Sequence, residues 1–115
     1  MVLAGGGTGA LARYALGTAI MARFSGRFPL GTLAINVTGS FMIGLLMTLL
    51  ATRNPNWRLL LVTGFLGGYT TFSSFEWETF QAMHDSGYVI GLLNIVGSVA
   101  LGYAAVWLGV VLARR

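Results

Sequence analysis

A run of polar and small residues at positions 64–75 is the part of this chain best suited to handle an ion. It holds three glycines, two threonines and two serines inside a stretch that is otherwise apolar and long enough to be a membrane helix. Irregular backbone at membrane depth is tolerated only where it is buried in protein or lines a water-filled cavity. Transport proteins use such broken helices to point backbone dipoles at ions. The run therefore predicts a helix break at residues 67–70, with carbonyl groups freed for a ligand such as a monovalent cation.

Three side chains near this run have the chemistry to meet an anion. Asn36, in the middle of another apolar span, carries amide N–H donors. Phe72 and Phe75 are three residues apart, so a helical turn after the break puts both rings on one face. An aromatic ring has a positive edge, and two such edges can face a small anion. The alternatives are ordinary packing: Asn36 as polar glue between helices, worth about 0.6–2 kcal/mol, and the two rings as core aromatics.

Arg13 is an ionisable residue inside the first apolar span. Such residues are costly in a membrane and mark either a function or a partnered charge. One interpretation is that Arg13 snorkels or forms a salt bridge with Glu76 or Glu78 in a dimer core. The other is a fixed positive charge in a vestibule that attracts anions. The two are compatible.

Catalytic and nucleic-acid functions find little support. The one histidine, His84, lies in a short loop, and Glu76 and Glu78 are two residues apart, so on a helix they point about 160° away from each other. Cysteine is absent, and the net charge of +4 comes from arginines scattered between apolar spans rather than from a continuous basic patch. We expect a protein that is not an enzyme and binds no nucleic acid.

The composition places the chain in a lipid bilayer, since 56% of its residues are hydrophobic and only 9% are charged. A soluble domain carries roughly a quarter charged residues. Four apolar spans, at about 2–22, 29–52, 58–83 and 86–113, each reach the roughly 20 residues needed to cross a membrane. The connections are too short for a soluble domain. We predict an all-α membrane protein, a single domain over residues 1–115, with four transmembrane helices and the third broken at mid-membrane.

Arginine placement gives only a weak preference for one orientation. Four spans put both termini on one side, and the flanking arginines there outnumber those on the other side by four to two: Arg53, Arg58, Arg114 and Arg115 against Arg23 and Arg27. A chain with so small an asymmetry is able to insert both ways. Four tightly packed helices cannot enclose much of a pore alone. We therefore expect an oligomer, most simply a two-fold dimer, in which a second copy contributes to the pore lining.

The chain resembles the Fluc (CrcB) family of fluoride channels along nearly its whole length. The motifs that carry this resemblance occur in order: the run 5–10 with Arg13 and Tyr14, then Gly31-Thr32-Leu33, Asn36 and Gly39-Ser40-Phe41, then Gly64-Phe65 and the run 67–75. The third-span motif is highly specific, whereas the glycine-rich first motif alone is weak. Family members often have threonine where this chain has Ser74, a change that keeps the hydroxyl.

The resemblance implies an antiparallel, dual-topology homodimer with two narrow fluoride pores, multi-pass in the inner (plasma) membrane, which lets fluoride leak out of the cell. It assigns residues to the pore, to an aqueous vestibule and, through backbone carbonyls, to a structural sodium ion at the dimer axis. The pore residues would be Asn36, Phe72, Phe75, Ser73, Ser74, Asn94 and Ser98; the vestibule residue would be Arg13; the sodium ligands would be Gly67 and Thr70.

Two other functions compete with the fluoride channel. A small multidrug or guanidinium exporter also has four spans and works as an antiparallel dimer, but it depends on a glutamate in the first span, where this chain has Arg13 and no acid. A structural or assembly subunit would use its small residues for packing only. That function does not explain a polar break in the middle of a membrane helix.

Overall fold

The computed structural model describes all 115 residues, and every regular element in it is helical. The elements are α1 (Val2–Arg23), α2 (Leu30–Leu49), α3 (Pro55–Arg58), a π-helical segment (Leu59–Leu66), α4 (Gly67–Tyr69), α5 (Ser73–Ser86) and α6 (Tyr88–Arg114). The segments from Pro55 to Ser86 form one interrupted third stretch. The all-α prediction is therefore confirmed, and so is the interruption of the third stretch.

Two of these helices, α2 and α6, are long and apolar enough to cross a bilayer. Only 28% and 17% of their most apolar windows are buried within the protein. A core helix of a soluble protein would instead be largely buried, because exposed apolar surface in water is costly. The exposed apolar surface of these helices is suited to contact with lipid.

Glycines bring α1 into backbone contact with the first half of the third stretch. A side chain at Gly5 would collide with the carbonyl oxygen of Leu60, and one at Gly9 would collide with the carbonyl oxygen of Phe65. The contacts advance in the same direction along both segments, so the two run parallel. Small residues that let backbones approach closely are typical of helix contacts in membranes, where packing replaces the hydrophobic effect.

The last helix, α6, packs on α2 and on α5. Gly102 of α6 lies beside the Ser40 side chain of α2, and Gly44 of α2 lies against the backbone of Val106. These contacts advance in the same direction along both helices, so α2 and α6 run parallel. Between α5 and α6 the chain reverses at Gly87, whose φ of 98° belongs to the left-handed region that favours glycine. Helices α5 and α6 therefore form an antiparallel hairpin.

The break in the third stretch lies one turn later than the sequence predicted. Residues 67–69 of the predicted break are helical, and the chain leaves the helix at Thr70, with φ −80° and ψ 157°, before α5 begins at Ser73. The reason is that Gly68 serves close packing on α1 and not flexibility. The helix ends instead where the backbone N–H and the hydroxyl of Thr70 both donate to the Leu66 carbonyl, at 2.9 Å each.

Candidate functional site at the helix break

One side chain, Asn36 of α2, spans the break. Its Nδ2 donates to the carbonyl oxygen of Thr71 at 2.9 Å, and its Oδ1 accepts the backbone N–H of Thr71 at 2.9 Å. The amide therefore satisfies both backbone polar groups of a residue that has no helical partners. An unpaired buried backbone group costs about 1–3 kcal/mol, so this pair of bonds stabilises the broken conformation.

The threonine at the break also starts the next helix. Oγ1 of Thr71 accepts the backbone N–H of Ser74 at 3.3 Å, which satisfies one of the free donors in the first turn of α5. Thr71 therefore links the start of α5 to the break through its side chain and to α2 through its backbone. Sequence reasoning did not single out this residue, although a threonine three residues before a helical N–H is a recognisable capping signal.

The two phenylalanines predicted for the pore lie together at the start of α5. Their ring centroids are 6.0 Å apart and the ring planes are tilted by 39°. Phe72 is 71% exposed and Phe75 is half-buried. Of the neighbouring serines, Ser73 is exposed and Ser74 is half-buried. The pair therefore presents ring surface outward from a single copy of the chain.

A cleft of about 380 Å³ lies beside the break, between α2 and the third stretch. Its lining includes Asn36, Ser40, Gly67, Thr70, Thr71 and Phe72. Two predicted pore residues, Asn36 and Phe72, thus meet the two predicted sodium ligands, Gly67 and Thr70, on one surface. The lining offers amide, hydroxyl and carbonyl groups and contains no charged side chain.

Arg13 lies just outside this cleft, where its Nε donates to the carbonyl oxygen of Gly68 at 3.1 Å. The side chain is half-buried. Within one copy of the chain, the arginine therefore donates to a carbonyl of α4, two residues before the chain leaves the helix at Thr70. A hydrogen bond to a charged donor is among the stronger kinds, worth about 1.5–3 kcal/mol.

A second cleft, also about 380 Å³, opens near the loop between α1 and α2 and is lined by several charged groups. Oε1 of Glu78 accepts from the hydroxyl of Thr32 at 2.9 Å, while its Oε2 is buried without a hydrogen-bond partner. Arg27 and Asp85 lie on the same cleft. The sequence offered Glu78 as a partner for Arg13 and argued against a shared acid-base site with Glu76. The bond from Thr32 to Glu78 joins residues 46 positions apart, which no local pattern reveals.

The remaining predicted pore residues, Asn94 and Ser98, lie on α6 and do not line the cleft at the break. Asn94 is 1% exposed. Its Nδ2 donates to the hydroxyl oxygen of Thr79 at 2.8 Å, and its Oδ1 accepts from the hydroxyl of Ser98 at 3.3 Å. The structure therefore separates the predicted residues into a group at the break and a group inside the contact between α5 and α6.

The site at the break has the features of an ion path rather than of a reaction centre. It combines neutral polar groups with the ring of Phe72, and no nucleophile lies beside a base in the cleft. Ion channels select ions by the dipoles that replace the hydration shell, and they conduct where the sites hold the ion weakly enough to release it.

Comparison with known proteins identifies the family. A family model described as "CrcB-like protein, Camphor Resistance (CrcB)" matches residues 1–110. A protein of Solibacter usitatus named "Fluoride-specific ion channel FluC" is 64% identical, with 100% of this chain and 97% of the relative aligned. Proteins of the same name from Acidobacterium capsulatum and Coxiella burnetii are 50% and 42% identical, with at least 99% of this chain and 94% of each relative aligned. With its motifs, its helical architecture and its near-complete match in agreement, the chain belongs to the CrcB family.

Proposed function

We propose that this protein is a fluoride-selective ion channel that allows passive export of fluoride across the cell membrane and so lowers cytoplasmic fluoride. The relatives named as fluoride-specific channels support this proposal over almost the full length of the chain. One structural observation carries it. The amide of Asn36 and the ring of Phe72 meet at a neutral cleft beside a broken helix.

Asn36 keeps one donor for an anion. The amide NH₂ group has two hydrogens, and the bond to the Thr71 carbonyl uses one of them. Because Oδ1 is held by the Thr71 N–H, the amide cannot rotate to point its oxygen into the cleft. The second N–H is therefore a fixed donor. Transferring a bare ion into a medium of low dielectric costs tens of kcal/mol, so a dehydrated fluoride requires donors of this kind.

The aromatic pair and the serines supply further donors. The ring edges of Phe72 and Phe75 carry partial positive charge, and the hydroxyl-bearing residues Ser73 and Ser74 lie between the two phenylalanines in the sequence. A narrow path of such groups favours a small anion over larger halides by size. A full positive charge in the constriction would trap the ion, whereas Arg13 lies outside the cleft and belongs to the proposed aqueous vestibule.

The proposed assembly is a homodimer of two antiparallel copies, each crossing the inner (plasma) membrane four times. Phe72 is 71% exposed and the cleft beside it is open on one side, so a single copy leaves an ion in contact with lipid. A second copy would close the cleft and produce two pores related by the two-fold axis. The weak arginine asymmetry of four to two permits insertion in both orientations.

A structural sodium ion is proposed at the dimer axis. Gly67 and Thr70 line the same cleft, and the extended backbone of Thr70 takes its carbonyl out of the helical pattern. Carbonyl oxygens suit hard cations, and the dipoles of broken membrane helices often bind them. Two copies would contribute four carbonyls. The role of the ion is to neutralise these dipoles and hold the two copies together.

On α6, the half-buried Ser98 belongs to the proposed fluoride path. Asn94 contributes to this path indirectly, by binding Ser98. The amide of Asn94 is fully buried and both its polar atoms are bonded, so it contributes by holding the Ser98 hydroxyl.

The decisive experiment is efflux from liposomes that contain the purified protein, recorded with a fluoride-selective electrode. We expect rapid fluoride efflux and no comparable efflux of chloride or guanidinium. Guanidinium transport in place of fluoride would support the exporter instead, and the absence of any flux from a folded dimer would overturn the proposal.

A further inference from the structure

A chain of three hydrogen bonds inside the α5–α6 contact ends at the carbonyl of Phe75. The hydroxyl of Ser98 donates to Oδ1 of Asn94, Nδ2 of Asn94 donates to the hydroxyl oxygen of Thr79, and the hydroxyl of Thr79 donates to the Phe75 carbonyl. The last two bonds measure 2.8 and 2.7 Å. Thr79 and Asn94 are 6% and 1% exposed, which makes them the two buried polar residues of the protein.

All three bonds point the same way, from α6 to the first turn of α5. Hydrogen bonds aligned in this way polarise and strengthen one another, and the effect is largest where water is excluded. Because Thr79 has a single hydroxyl proton and gives it to Phe75, it meets Asn94 as an acceptor. Every donor in this series of hydrogen bonds therefore meets an acceptor.

The place of these three hydrogen bonds along α5 and α6 matters for the orientation of α5 as much as their strength does. One turn further from the break, Met83 of α5 packs into the space left by Gly91 of α6, and the pairing of Thr79 with Asn94 continues the same antiparallel register. The contact between Met83 and Gly91 is apolar and contains no directional bond. The bond between Thr79 and Asn94 is directional and fixes the rotation of α5 about its axis.

We propose that Thr79 is a positioning residue for fluoride conduction by the channel, acting through Asn94 to set the orientation of the Phe75 ring. The first turn of α5 follows an interruption of the helix, so its orientation is not inherited from α4. The ring of Phe75 projects from this turn and meets Phe72 at 6.0 Å. A rotation of α5 would change the edge that Phe75 offers to the ion. This inference rests on the proposed fluoride path.

The test compares Thr79→Val, which keeps the shape and removes the hydroxyl, with Thr79→Ser, which keeps the hydroxyl. We expect Thr79→Val to lower fluoride efflux about tenfold or more, the factor that corresponds to about 1.4 kcal/mol. Thr79→Ser should stay close to wild type. Thr48→Val is a matched control, because Thr48 makes the same hydroxyl bond to a carbonyl four residues earlier, at 2.9 Å, on α2. It should leave efflux unchanged.

A double variant separates positioning from folding. Thr79→Val with Asn94→Leu replaces both partners by apolar groups of similar shape, a change that often restores stability because no buried amide is left unpaired. We expect dimer stability to recover while fluoride efflux stays low. Recovery of both would overturn the proposal, since the bonds would then serve folding alone. Normal efflux in Thr79→Val would overturn it as well.

A second readout does not depend on transport. In protein labelled with 4-fluorophenylalanine, the Phe75 resonance can be assigned by its loss in Phe75→Leu. We expect this fluorine resonance to shift in Thr79→Val and to stay in place in Thr79→Ser and Thr48→Val. An unshifted resonance in Thr79→Val would overturn the positioning role. Failure of the wild-type protein to conduct fluoride would instead overturn the proposed function, and the resonance would still report on the ring.

Discussion

Asn36 and Thr71 are joined by two hydrogen bonds of 2.9 Å, one in each direction, between a side-chain amide and the backbone of a single residue. The amide replaces the two helical bonds that Thr71 would otherwise make. Because it both donates and accepts, no residue that only accepts can take its place. The broken helix and the proposed anion donor therefore depend on the same side chain.

Asn36→Asp should abolish fluoride efflux. The carboxylate would set an acceptor against the Thr71 carbonyl, would remove the spare N–H from the cleft and would add a negative charge that repels the anion. The measurement is the efflux rate from liposomes, together with the dimer fraction in size-exclusion chromatography. Asn56→Asp, at an exposed position of the short helix α3, is the matched control and should conduct normally. A conducting Asn36→Asp variant would refute the role of the amide.

Phe72→Ile and Phe75→Ile should each abolish fluoride efflux while the dimer remains folded. Isoleucine keeps apolar volume but has no ring edge, so the partial positive charge that faces the anion is lost. The readout is the fluoride electrode, with circular dichroism and chromatography to establish folding. Phe24→Ile, at an aromatic that is 56% exposed at the end of α1, controls for the loss of any phenylalanine. Efflux at the wild-type rate in either pore variant counts against the aromatic pair.

The sequence predicted the helical class, the number of helical stretches and the existence of a break, because these follow from local composition. The location of the break was wrong by one turn. Gly68 looks like a flexible residue in the sequence, yet its neighbours on α1 hold it in a helix, and those neighbours lie about 60 residues away. The π-helical segment, Leu59–Leu66, has no local signal of its own.

The residue types at the candidate site could be predicted from the sequence, but their hydrogen-bond partners could not. Asn36 stands out as an amide in an apolar span, but its bond to Thr71 joins residues 35 positions apart. Thr79 did not stand out at all, since a threonine within a helix is common and its partner lies on α6. Whether a polar residue faces an ion or a neighbouring helix is decided by tertiary packing.

Gly9→Ala should destabilise the fold. A methyl group there would collide with the Phe65 carbonyl, and because a backbone atom cannot move aside as a side chain does, α1 would have to shift. Overpacking of this kind costs about 1–3 kcal/mol. Gly7→Ala, on the same helix with no atom within 4 Å of the added group, is the matched control. The measurement is thermal unfolding in detergent, and equal melting temperatures for the two variants would contradict the close contact.

Sodium should raise the thermal stability of the dimer. An ion that binds the folded dimer and not the unfolded chain stabilises by about 2.7 kcal/mol when its concentration is 100 times its dissociation constant. The expected result is a higher melting temperature in sodium chloride than in N-methylglucamine chloride at equal ionic strength, with saturation as sodium is titrated. Chloride and screening are matched between the two buffers. Identical melting curves at every sodium concentration would remove the proposed ion.

A single introduced cysteine tests the dual topology. The chain has no cysteine of its own, and Ser25 lies exposed in the loop after α1. In sealed vesicles from cells that express Ser25→Cys, a reagent that does not cross membranes should label about half of the protein, and the rest should react after permeabilisation, because equal insertion both ways puts half of the loops on each side. Adding arginines beside this loop should bias the ratio toward one side and reduce the number of functional dimers. Complete labelling from one side, with fluoride efflux intact, would show that the channel assembles from parallel copies.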